Sequence, residues 1–171
     1  MLKSRRQVIG AITATGAAIA AVRAASGSPS VLDLSAIKKD TDVACLYRCD
    51  FGDPQRFSQM LQNMLNHYLA YEFDNFKLKL VVVAHGAGLK FFLNDLSGTP
   101  WGQEKIDPDL YRGFVGLTQY GVEAYLCQIT YKRLKIDPAK TRTDPALKFV
   151  PSGVATVAEL QAKGFGYLKV G

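Results

Sequence analysis

Residues 77–84 read KLKLVVVA, and that dense β-branched, aliphatic run allows few folds. A strand wet on one face alternates apolar and polar residues. A near-continuous run predicts a strand covered on both faces, as in a parallel sheet whose crossovers lay helices over it. The neighbouring segments fit that arrangement. Asp42–Cys49 (DVACLYRC) reads as a strand whose faces are Val43, Cys45, Tyr47, Cys49 and Ala44, Leu46, Arg48. Asp53-Pro54 then opens a helix, Asp as N-cap and Pro in the first turn. Phe57, Met60, Leu61, Met64, Leu65, Tyr68 and Leu69 give that helix an apolar stripe.

Strand and helix continue to alternate. The pattern predicts a short helix from Gly88 to Asn94, a helix over 108–119 after the cap Asp107, and a strand VEAYLC at 122–127. A helix at 128–135, a strand LKFV at 147–150, a helix at 154–163 and a last strand FGYLKV follow. Short connections with right-handed crossovers imply an α/β fold, a parallel sheet with helices on both faces. Residues 26–41 show little periodicity and read as a linker, so the folded unit is placed at 42–171 as a single domain.

The first 25 residues are set apart. Basic Lys3, Arg5 and Arg6, an apolar run from Val8 to Val22, and small Ala24 and Ala25 form the three parts of an export signal. Ser4-Arg5-Arg6-Gln7-Val8-Ile9 resembles the twin-arginine motif, and the apolar run is rich in Ala, Gly and Thr. These features predict a periplasmic protein with no stable membrane insertion after cleavage. The whole chain carries a net charge of +6. Without the leader's four basic residues, 17 bases face 15 acids, a net charge of +2. Nucleic acid is therefore not an expected partner, and Lys132, Arg133 and Lys135 read as a solvated helix face.

In an open parallel sheet, ligands and chemistry gather beyond the carboxyl ends of the strands. Here those ends carry Cys49, His85, Cys127 and Pro151-Ser152-Gly153. Cys127 stands where a strand ends and a helix begins, so the first unpaired amides of the helix point toward its sulfur. Partial positive charge there favours the thiolate, the form that attacks a disulfide or accepts a sulfane sulfur. The opposing reading is a thiol filling a gap under the helix.

Cys49 is a candidate second thiol on the same rim, or a buried strand-end residue. His85, beside Gly86 and Gly88, is a candidate to tune a thiolate, or a structural histidine. His67, in the first helix, is expected at the surface. Ser152-Gly153 could hold an anion, though a helix cap also explains it. Cys45 and Cys49 lie four residues apart on one strand, about 13 Å, beyond disulfide reach. No zinc spacing, Walker A loop, full G-x-G-x-x-G, G-x-S-x-G or H-E-x-x-H occurs, so no metal and no cofactor are expected.

Four stretches taken together, YRCDFGDPQRF, LVVVAHGAGLKFFL, YGVEAYLCQITYKRLKI and FVPSGVATVAELQAKGFGYLKV, resemble the DsrE/DsrF-like sulfur-relay family, from about Asp42 to Lys169. The resemblance implies a three-layer α/β/α sandwich with a five-stranded parallel sheet, assembled as a homo-oligomer (trimer or hexamer) or with related subunits. Its sulfur-transferring members carry a persulfide on a cysteine that ends a strand after a Gly-Val pair and opens a helix. Gly121, Val122 and Cys127 match that pattern. The implied role is a sulfur carrier, more than a turnover enzyme, with protein donors and acceptors of sulfur. The family's named members work in the cytoplasm, whereas this chain carries an export signal. An oligomeric ligand-binding or assembly module with structural cysteines is the alternative. A Cys49–Cys127 disulfide doing redox chemistry is a third.

Overall fold

A computed structural model describes residues 28–171. The leader assigned to residues 1–25 lies outside the described residues. The core is a six-stranded, wholly parallel sheet built from β1 (Ser30–Val31), β2 (Val43–Cys49), β3 (Leu78–Ala84), β4 (Glu123–Cys127), β5 (Leu147–Val150) and β6 (Gly166–Leu168), in the order β1-β5-β4-β3-β2-β6. The apolar run of β3 therefore sits mid-sheet, as its composition requires.

The sheet has one strand more than the five expected. Ser30 and Val31 pair with Lys148 and Phe149, and the Leu32 amide donates to the Phe149 carbonyl at 2.7 Å. The segment read as a linker is thus partly an edge strand. Two residues are too few to show period-2 alternation, so the sequence gives no sign of it. Beyond it, the Lys163 ammonium donates to the carbonyls of Leu34, Ser35 and Ile37 and ties this segment to the rest of the chain.

Among the described residues, four α-helices connect the strands: α1 (Pro54–Ala70), α2 (Pro108–Thr118), α3 (Gln128–Leu134) and α4 (Gly153–Ala162). Asp53, Asp107 and Ser152 cap α1, α2 and α4 through side-chain oxygens, as their positions before Pro and Gly predict. The segment Gly86–Phe92 is helical in the tighter 3-10 form. Two apolar clusters divide at the sheet. Phe57, Met60, Met64 and Phe114, from α1 and α2, pack with Cys49, Leu80, Val82 and Leu126. Leu160 of α4 packs with Leu46, Val81, Val83, Tyr125 and Val150. Alternate residues of each strand thus serve opposite faces, and that alternation decides the candidate site.

Candidate functional site

The sheet brings Arg48, His85, Cys127 and Gly153 to one corner, at the carboxyl ends of β2, β3, β4 and β5. Cys127 follows Tyr125 by two residues and pairs with Val150, so it belongs to the α4 face. His85 follows Val83 by two and shares that face. The turn into α4 descends on both. A Cβ placed on Gly153 would lie 2.9 Å from His85 Cβ, 3.1 Å from His85 Cδ2 and 3.2 Å from Cys127 Cβ. Only a residue without a side chain lets the helix start this close.

Cys127 is the N-cap of α3, as expected from its place between strand and helix. It is 4% exposed, and its sulfur makes no capping hydrogen bond with the helix amides. The expectation that the helix amides point toward the sulfur is therefore corrected to a thiol recessed at the first turn without a capping bond. The physical reason is the close approach of α4 over the strand end.

His85 is half-buried, and its Nε2 accepts a hydrogen bond from Arg48 Nε at 2.9 Å. Arg48 in turn pairs with Asp50 at 2.9 Å. An acceptor Nε2 requires a neutral ring with its proton on Nδ1. Burial, reinforced by the Arg48 charge and opposed by Asp50, holds His85 below the usual histidine range. A pocket of about 120 Å³ lies beside the ring, lined by His85, Gly86, Thr130, Arg133 and Leu134. Thr130 shapes its wall by accepting from the Gly86 amide at 3.1 Å. That volume holds a few water-sized groups.

Cys49 does not join this corner. It pairs with Ala84, which pairs with Leu126, and all three belong to the α1/α2 face. Cys127, one residue past Leu126, faces the other way. Two strand spacings, about 10 Å, also separate β2 from β4, beyond the ~7 Å Cα limit for a disulfide. All three cysteines are free thiols. Cys49 is wholly buried, with its sulfur 4.0 Å from the Gly88 carbonyl. Burial, with the nearby Asp50 charge, pushes its thiol well above the ordinary range, so it is protonated and shielded. The rim-thiol expectation for Cys49 is corrected on these grounds.

Ser152 Oγ accepts from the Ala155 amide at 3.3 Å, so the serine is spent as a cap, and Gly153 provides clearance. His67 is half-buried rather than at the surface, with Nδ1 3.4 Å from the Tyr47 hydroxyl. Arg48 and Asp50 were not singled out from the sequence. The available signal was a charged residue ending the apolar row Ala44, Leu46, Arg48. Among the described residues, no group of three or more His, Cys, Asp or Glu side chains is placed to hold a metal ion. No described helix is long and apolar enough to cross a membrane.

Residues 51–170 match the DsrE/DsrF-like family. The chain belongs to that family. It is a family generally linked to sulfur relay. Among solved structures, the chain resembles a protein of unknown function from Methanobacterium thermoautotrophicum, at 20% identity and a TM-score of 0.58. The likeness covers 75% of this chain and 99% of that one and supports the fold. No curated protein matches the sequence.

Proposed function

We propose that this protein is a sulfur carrier that holds sulfane sulfur as a persulfide on Cys127 and passes it to an acceptor thiol. The observation that carries this reading is the meeting of Cys127 and a neutral His85 against Gly153, at the strand ends of a sulfur-relay family fold. In the loading step, the Cys127 thiolate attacks the outer sulfur of a donor persulfide. A new S–S bond forms at Cys127, the donor's S–S bond breaks, and the donor leaves as a thiolate. Sulfur moves without net oxidation or reduction, and release to an acceptor is the same exchange in reverse. His85, its Nε2 engaged by Arg48, stands near the thiol as a neutral group.

The sheet with its two apolar clusters is read as a three-layer α/β/α sandwich. Exposed Leu65, Leu69 and Val115 on α1 and α2, with Phe76 at 86% exposure, support assembly into a homo-oligomer or with related subunits. Donor and acceptor proteins are the expected partners. The periplasmic setting rests on the leader sequence alone.

A second reading, an assembly module with structural cysteines, is favoured by the recessed position of Cys127. Intact-protein mass spectrometry after exposure to polysulfide separates the two. The carrier gains the mass of sulfur, loses it to an added thiol, and gains none as Cys127→Ser. Wild-type protein that stays unmodified while Cys127 remains titratable ends the carrier reading.

A further inference from the structure

On the sheet face away from Cys127, a pocket of about 310 Å³ lies between the end of the 3-10 segment, the loop 95–106 and Arg142. It is in the size range of small-ligand sites. Its charged lining is Lys90, Glu104, Asp95 and Arg142. Asp95 is already answered by the Lys140 ammonium at 2.7 Å and by the Ser97 amide and hydroxyl. Lys90 is paired with Glu104.

Arg142 is the charge left over. Among the described residues its guanidinium makes no ion pair and no side-chain hydrogen bond, and its Nε is buried without an acceptor. It lies 4.1 Å over the Tyr111 ring, which holds the planar group in place. Tyr111 is itself fixed by donating to Asp144 at 3.0 Å. A stacked guanidinium without a carboxylate is prepared for planar, two-donor recognition of an anion.

Lys90 adds a second cation. It is 4% exposed although its partner Glu104 is 44% exposed in side-chain terms, so the acid is the movable member of the pair. The ammonium has space because Gly52 lacks a side chain: a Cβ there would lie 3.1 Å from Lys90 Nζ.

We propose that this pocket binds a small oxyanion between Arg142 and Lys90, with Glu104 as the displaceable occupant of the lysine. Phosphate-type and carboxylate ligands share this chemistry. Binding exchanges the Glu104 carboxylate for the ligand at Lys90 and fills the empty side of Arg142.

The test titrates the full chain with inorganic phosphate and, separately, with acetate, at constant ionic strength against chloride. Calorimetry and the fluorescence of Trp101, the single tryptophan, carried on the same loop, give the readouts. Saturable binding of either anion is expected, and the tighter of the two assigns the tetrahedral or the carboxylate class. Arg142→Gln should weaken it about tenfold or more, matching loss of one charge-assisted contact. Glu104→Gln should strengthen it several-fold, a change that a purely structural ion pair would not produce. Absence of saturable binding, or an affinity unchanged in Arg142→Gln, overturns the proposal. Should Arg142→Gln not fold, Glu104→Gln decides alone: unchanged or weaker binding there overturns it.

Discussion

Cys49 and Cys127 each end a parallel strand, and each meets a glycine where the chain turns back over the sheet. At Cys49 that glycine is Gly88, whose missing Cβ would fall 2.1 Å from the Cys49 carbonyl oxygen and 2.8 Å from its sulfur. At Cys127 it is Gly153, whose missing Cβ would approach the side chains of Cys127 and His85. The first contact seals a thiol against backbone, deep in the apolar cluster. The second brings a thiol and an imidazole to one glycine, with a small pocket beside the imidazole. Identical residues at equivalent strand ends thus acquire different surroundings, because one residue of register decides which face of the sheet they serve.

The glycine pair gives the largest expected effect. Gly→Ala stiffens the unfolded chain and by itself stabilises by about 0.4–1 kcal/mol. At Gly88 the added carbon meets rigid backbone, so the alanine variant should lose about 3 kcal/mol or more in urea unfolding. Gly153→Ala should lose less, about 1–2 kcal/mol, because side chains can give way. It should nonetheless impair sulfur loading, which Gly88→Ala loses only in proportion to its unfolded fraction. Equal stability losses at the two sites would break the comparison.

Arg48 sharpens the Cys127 side with a smaller effect. Replacing it with Met removes both a hydrogen bond to His85 Nε2 and a nearby positive charge. The His85 pKa should then rise toward its ordinary value, followed by NMR titration of the ring. The sign for stability follows from linkage. Below about pH 6.5 the unfolded chain takes up a histidine proton that folded His85, with its lowered pKa, resists. Wild-type stability is therefore full above that pH and falls as pH drops through the folded pKa. His67, also lowered by burial, adds to the same trend. Arg48→Met should flatten the slope, and an unchanged His85 titration would show that Arg48 does not hold the ring neutral.

Much of this was legible in the sequence. The β-branched run of β3, the Asp-Pro helix start at 53–54 and the position of Cys127 between strand and helix follow from periodicity and capping. The edge strand at Ser30–Val31 did not, because its pairing depends on a partner more than a hundred residues away. Nor did the separation of the two cysteines, since strand order is a tertiary property. The role of Gly153 was equally hidden. Its sequence context reads as a helix cap, and only the descent of α4 onto His85 and Cys127 shows that clearance is the requirement.

The most direct measurement is the relative alkylation rate of Cys127 and Cys49 in the folded protein, resolved by peptide mapping with a small reagent across a range of pH. The account predicts that Cys127 is labelled under native conditions while Cys49 is labelled only as the protein unfolds. Equal labelling of the two, or labelling of neither before global unfolding, would contradict it.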